Sequence, residues 1–155
     1  MANTYTQIHI QAVFCVQNRK SLIHSEWKDE LYKYITGIVQ NNEHKLLAIN
    51  GMPDHIHMFF GFRPTQSLAT LMQDVKQDSS NWINQKGFTK EKFSWQAGYG
   101  AFSYSKSHVD RVIQYIRNQE IHHQKKSFLQ EYKEMLDAFG VSYDENFLFK
   151  PIGQE

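Results

Sequence analysis

Apolar and polar positions change period several times along the chain, and each change marks an element. Ile8 to Val16 is apolar and rich in β-branched residues, and the polar run Gln17-Asn18-Arg19-Lys20 closes it, which predicts a first strand and its turn. Helical spacing follows, with Ser25 as N-cap and with Trp27, Leu31, Tyr34, Ile35 and Ile38 recurring on one face until Asn41-Asn42. Lys45 to Asn50 and His55 to Phe62 then read as two strands of a hairpin around Gly51-Met52-Pro53-Asp54. A second helix is signalled by Ser67 as cap and by Leu68, Leu71, Val75, Trp82 and Ile83, ending near Lys86 before Gly87. Phe93 to Ser105 is aromatic and glycine-bearing, as expected of a fourth strand or bent ribbon. Ser107 caps a third helix over His108 to about Lys125, and Phe128 to Phe139 forms a fourth, stopped by Gly140.

The order β-α-β-β-α-β predicts an α+β, ferredoxin-like (RRM-like) antiparallel sheet with helices on one face and additional C-terminal helices. No repeat, low-complexity tract or linker interrupts residues 1–155, so one domain is expected. With 41% hydrophobic and 14% aromatic residues, the chain can bury a real core. It has neither a long apolar span nor a basic, apolar leader at its start, which predicts a cytoplasmic protein with no membrane partner. Cys15 is the one cysteine, so intramolecular disulfides and cysteine-based zinc sites are excluded, and its apolar setting predicts an inert core thiol. The formal net charge of +1 neither demands nor forbids a nucleic-acid partner.

The chemistry begins at His55-Ile56-His57. Side chains alternate across a strand, so both imidazoles project from one face, and two rings held side by side are half of a metal site. On their own they read as a structural pair satisfied by hydrogen bonds before they read as a catalytic ligand set.

The third helix offers a candidate for the other half. At about 100° per residue, with Tyr115 at zero, Val112, Ile116, Val109 and Ile113 fall at about 60° to 160° and form the core stripe. Gln119, His122, Lys126 and Arg111 fall within about 40° of Tyr115 by the same arithmetic. A phenol, an amide and an imidazole therefore line one ridge beside the buried face.

These residues resemble the HUH single-tyrosine transposases of the smallest bacterial insertion sequences and their domesticated, repeat-associated relatives. The resemblance rests on Pro53-Asp54-His55-Ile56-His57 on a strand, Lys76-x-x-Ser79-Ser80 in the second helix, and Tyr115-Ile116-Arg117-Asn118-Gln119 on the third. Trp95 to Ser103 and the tail through Tyr143-Asp144-Glu145 also look like one branch of that family. Gln11 departs from the pattern: many members carry a histidine at that point of the first strand, and His9 is two residues away on the same face, with no role assigned to either.

The resemblance implies cleavage and rejoining of single-stranded DNA through a 5′-phosphotyrosine. Tyr115 would be the nucleophile, and His55, His57 and Gln119 would hold Mg²⁺ or Mn²⁺ on the scissile phosphate, with His122 the alternative third ligand. It also implies recognition of hairpins at the element ends and a homodimer with composite active sites, the tyrosine acting in cis or in trans. Arg19, Lys20 and Lys76 are the phosphate-contact candidates, each of them equally readable as an ordinary solvated cation. Phe93, Trp95, Tyr99, Phe102 and Tyr104 read as core before they read as base-stacking residues. Other readings are an HUH nickase for replication initiation, a catalytically silent nucleic-acid-binding ferredoxin-like module, and a metal-dependent phosphodiesterase without a covalent intermediate.

Overall fold

The computed structural model describes residues 3–145 and Leu148. Strands β1 (His9–Cys15), β2 (Lys45–Met52), β3 (His55–Gly61) and β4 (Gly100–Tyr104) form one antiparallel sheet in the order β2-β3-β1-β4, the ferredoxin-like arrangement expected from the element order. Among the described residues five α-helices accompany it: α1 (Lys28–Asn41), α2 (Leu68–Lys86), α3 (Val109–Arg117), the single turn α4 (Gln119–His122) and α5 (Phe128–Ala138).

Both faces of the sheet are covered. Ala12, Phe14, Ile56, Met58 and Phe60 pack against Leu31, Ile35 and Val39 of α1 and Leu71, Val75 and Ile83 of α2. On the opposite face Val13, Cys15 and Phe102 meet Phe128, Tyr132 and Leu136 of α5, while Ala48 and Phe59 meet Val112 and Ile116 of α3. Two-sided burial explains why β3 reads as an unbroken apolar run with the histidines embedded in it. The appended helices thus cover the face that carries His55 and His57. Cys15 is fully buried there, and loss of solvent pushes its thiol pKa up, as expected of an inert core cysteine.

Capping chemistry placed several ends well. Ser67 accepts from the Thr70 amide, Ser127 from the Gln130 amide, and Gly87 and Gly140 take the left-handed backbone that closes α2 and α5. The hairpin is tighter than expected, because β2 continues to Met52 and leaves Pro53-Asp54 to turn the chain.

Four expectations are corrected. Ser107 does not cap α3, which follows a short 3-10 turn over Lys106–His108 and has no side-chain cap. Ser25 does not cap α1; the amides of Trp27 and Lys28 both donate to the His24 carbonyl, and the buried Trp27 ring, stacked on Phe88 at 4.9 Å, holds the entry to the helix. The fourth strand covers only Gly100–Tyr104, because side chains satisfy the backbone ahead of it. Asn84 brackets Phe93, accepting from its amide at 2.8 Å and donating to its carbonyl at 3.0 Å, and the Lys76 ammonium donates to the carbonyls of Gln96 and Gly98 at 2.7 and 2.8 Å. The third helix is not continuous to Lys125. It stops at Arg117, and the Asn50 amide donates to the carbonyls of Ile116 (3.0 Å) and Arg117 (3.2 Å), capturing groups that a continuing helix would use itself. Asn118 turns the chain, and α4 follows.

Candidate active site

On β3, His55 and His57 are fully buried, with ring centroids 5.2 Å apart. Each ring is held by its Nδ1. His55 Nδ1 donates to Asp54 Oδ1 at 2.7 Å, and His57 Nδ1 donates to Gln11 Oε1 at 2.7 Å. The Gln11 amide is oriented in turn by its nitrogen, which donates to the Tyr104 hydroxyl at 2.9 Å. With both Nδ1 atoms acting as donors, both Nε2 atoms face α4 and α5.

There they meet oxygen. Glu131 Oε1 lies 3.0 Å from His57 Nε2 and 3.6 Å from His55 Nε2, and Gln119 Oε1 lies 3.2 Å from His55 Nε2. The ligand atoms of His55, His57 and Glu131 all fall within 4.8 Å of one another, so these three form a candidate metal site. The donor set fits a divalent cation. A neutral imidazole that donates through Nδ1 carries a lone pair on Nε2, and here two such lone pairs confront carboxylate and amide oxygens. A cation among them turns that repulsion into coordination, and Asp54 and Gln11 supply the outer hydrogen bonds that orient ligating imidazoles.

The electrostatics lead the same way. Burial works to raise the Glu131 pKa, but the hydrogen bond from His123 and the positive charge that His57 can carry hold it far below the ordinary carboxylate value. For His57 burial wins and the value falls; for His123 the Glu131 carboxylate outweighs burial and the value rises. Tyr115 donates its hydroxyl proton to Glu131 Oε2. Burial and the Glu131 charge push the phenol pKa up, so without added positive charge it is a poorer nucleophile than free tyrosine.

The sequence candidates fall into two groups. Tyr115 and Gln119 come to the histidines within one chain: the Tyr115 ring centroid is 5.9 Å from that of His57, and the fully buried Gln119 also donates to Glu131 Oε2 at 3.2 Å. His122 stacks on Tyr115 at 4.6 Å, and its buried Nε2 has no hydrogen-bond partner among the described residues. His123 Nε2 reaches Glu131 Oε1 at 3.1 Å, on the side of the turn that faces α5.

The three phosphate candidates lie outside this cluster. Lys20 pairs with Glu91 at 2.6 Å, and the buried Arg19 Nε has no partner among the described residues. Lys76 is spent on the carbonyls of Gln96 and Gly98, and Ser79 accepts from the Trp95 indole at 3.0 Å, so the second-helix motif ties α2 to the segment before β4. Phe93, Trp95 and Phe102 are core, as expected.

Sequence reasoning missed Glu131. A signal existed: the acid sits on the apolar face of α5, between Phe128 and Leu136, where a carboxylate is buried only if something pairs with it.

A ferredoxin-like sheet thus carries a buried imidazole pair, a buried carboxylate and a half-buried phenol in one connected cluster. Residues 4–119 match the family model described as "Transposase IS200 like", and the chain belongs to that family of DNA-processing enzymes. It is 23% identical over 118 residues to the ISDra2 transposase TnpA of Deinococcus radiodurans, covering 73% of this chain and 84% of that protein. Two solved structures share the fold. A candidate transposase from Deinococcus radiodurans R1 superposes with a TM-score of 0.63 at 20% identity, covering 77% of this chain and 95% of the other. A REP-associated tyrosine transposase bound to a REP hairpin gives 0.59 at 13% identity, over 79% and 73% of the two chains. No described helix is long and apolar enough to cross a membrane.

Proposed function

We propose that this protein cleaves and rejoins single-stranded DNA at the ends of an insertion sequence, with Tyr115 as nucleophile and with end hairpins as recognition elements. One observation carries the reading: the Tyr115 hydroxyl donates to a carboxylate whose other oxygen faces the Nε2 atoms of His55 and His57. Phenol, base and ligand set are contiguous, all from one chain.

His55, His57, Glu131 and Gln119 would hold Mg²⁺ or Mn²⁺, with Mn²⁺ the better match to two imidazole nitrogens. Bound there, the ion would supply Lewis-acid polarisation of a phosphate oxygen. The remaining work belongs to the chain. Glu131 Oε2 takes the phenol proton as Tyr115 Oη forms a bond to phosphorus and the P–O3′ bond breaks, and the proton passes on to the departing O3′, leaving a 5′-phosphotyrosine and a free 3′-hydroxyl. Asp54 and Gln11 keep both imidazoles oriented. Attack by a 3′-hydroxyl on the phosphotyrosine reverses the step: O3′ forms its bond to phosphorus as the P–Oη bond breaks, and the proton of the hydroxyl passes through Glu131 to Tyr115 Oη. The energy of the phosphodiester is kept, so rejoining needs no nucleotide cofactor.

The cis geometry makes one chain chemically sufficient. A homodimer would then serve to bring two DNA ends together. The hairpin-bound relative supports hairpin DNA as the partner.

The deciding experiment incubates the protein with a labelled single strand bearing a hairpin and the flanking DNA of its own gene, with Mn²⁺ or Mg²⁺. A covalent protein–DNA adduct that survives denaturing electrophoresis, and is absent in Tyr115→Phe, is expected. Metal-dependent cleavage that persists in Tyr115→Phe would replace this reading with hydrolysis.

A further inference from the structure

Strand pairing places three residues abreast on the sheet face that α5 covers. Val13 of β1 lies opposite His57 of β3 on one side and opposite Gly100 of β4 on the other. Above this row α5 packs on Val13 through Phe128, Tyr132 and Leu136. Successive helix residues point about 100° apart. Here Glu131 reaches β3, 3.0 Å from His57 Nε2, while Tyr132 reaches β4 and lies over Gly100. A β-carbon at Gly100 would stand 2.6 Å from Tyr132 Cε1 and 2.7 Å from its Oη, where non-bonded carbons prefer about 3.5–4.0 Å. The strand backbone at Gly100 has no positive φ, so the ring, and not the backbone conformation, calls for glycine. That ring is closely held: Tyr132 is 6% exposed and stacks on Phe128 at 5.6 Å, and Phe128 stacks on His55 at 4.2 Å.

We infer that Gly100 is a positioning residue for the active site: its missing side chain lets Tyr132 settle on β4, which fixes the height and roll of α5 at which Glu131 meets His57 and Tyr115. A methyl group there would lift the ring by about 1 Å and carry the helix with it. The displacement falls on Glu131, the neighbouring residue of the same turn. Its carboxylate has little slack, at 3.0 Å from His57 Nε2, 3.1 Å from His123 Nε2 and 3.2 Å from Gln119 Nε2. A shift of about 1 Å takes such contacts out of hydrogen-bond range, and misplacement of that size costs about a hundredfold in rate. Gly100 touches neither substrate nor metal ligand in this account; it acts through Tyr132 and the helix that carries Glu131.

The catalytic consequence rests on the proposed single-strand cleavage, but the positioning is read without DNA or metal. In metal-free protein, nitrogen-15 NMR follows the ring nitrogens of His57 and His123, whose Nε2 atoms both face Glu131 Oε1. Gly100→Ala should shift both sets of signals and leave those of His44, held by Gln66 and Phe62, in place. Adding Tyr132→Leu, which removes the ring that the methyl group meets, should bring them back towards wild type. In single-turnover adduct formation with Mn²⁺, Gly100→Ala should lower the rate by about ten- to a hundredfold with DNA affinity little changed, and the double variant should recover most of it. A glycine that serves folding alone would lower Tm and leave both readouts unmoved. Unmoved His57 and His123 signals, a loss that Tyr132→Leu does not relieve, or shifted signals with a wild-type adduct rate overturns the inference. If Gly100→Ala does not fold, Tyr132→Leu with and without it decides: equal signals and rates are expected, and a further change on adding the alanine overturns the inference. Wild-type protein that forms no adduct rejects the cleavage reading alone, and the histidine signals then decide the positioning.

Discussion

Tyr115 and Glu131 share a hydrogen bond across 16 residues of sequence and a break in the helix between them, with the phenol donating to Oε2 of the carboxylate. The same carboxylate presents Oε1 to His57, so one side chain couples the candidate nucleophile to the candidate metal ligands.

That coupling makes Glu131 measurable apart from turnover. Mn²⁺ at about one hundred times its dissociation constant should stabilise the native state by about 2.7 kcal/mol, raising Tm by about 5–10 °C for a chain of this size. His55→Ala and His57→Ala should abolish the shift. Glu131→Gln keeps the shape and loses the charge; if affinity falls about tenfold, the stabilisation at the same Mn²⁺ concentration drops to about 1.4 kcal/mol. A full shift in Glu131→Gln, followed by differential scanning fluorimetry, would remove Glu131 from the ligand set.

Metal-free stability should depend on pH with a predictable sign. Burial opposes ionisation of Glu131, but the facing histidines win and its native pKa is depressed, so its contribution is full above the unfolded value of about 4.3 and is lost as pH falls. His123 is raised by the same carboxylate against the effect of burial, so its contribution is full below about 6.5 and declines as pH rises through the native value. His57, lowered by burial, works oppositely and costs stability as pH drops below about 6.5. In EDTA, Glu131→Gln should therefore flatten the loss of Tm below about pH 4.3, and His123→Gln should flatten the decline above about pH 6.5. Parallel curves for variant and wild type would contradict the assignment.

Asn50 ends α3, so Asn50→Ala should act on chemistry through geometry. Two carbonyls lose their donor, which costs about 1–2 kcal/mol in chemical denaturation. Gln119 follows the break and should lose its register with His55. A fall in kcat with little change in KM is expected; an equal effect on both would mean that the break serves DNA binding instead.

Lys76 distinguishes a phosphate contact from a structural tether. Its ammonium is bound to two carbonyls, and burial lowers its pKa. Lys76→Met should lower Tm while the slope of log affinity against log salt stays unchanged. Loss of a phosphate contact would instead reduce that slope by about one.

Relations within one element were legible in the sequence, because backbone periodicity dictates them. Alternation put His55 and His57 on one face of β3, helical spacing put Tyr115 and Gln119 on one ridge, and serine and glycine marked the ends of α2 and α5. Relations between elements were not. Glu131 joins the site because α5 packs on the β1–β4 side of the sheet, and nothing local to residue 131 encodes which face of the sheet that helix will cover. His123 rather than His122 meets Glu131 because α5 brings the carboxylate to that side of the turn. Lys76 turned inward because the segment before β4 needed donors for its carbonyls. Local chain geometry thus determined which groups travel together, and long-range packing decided which of those groups meet.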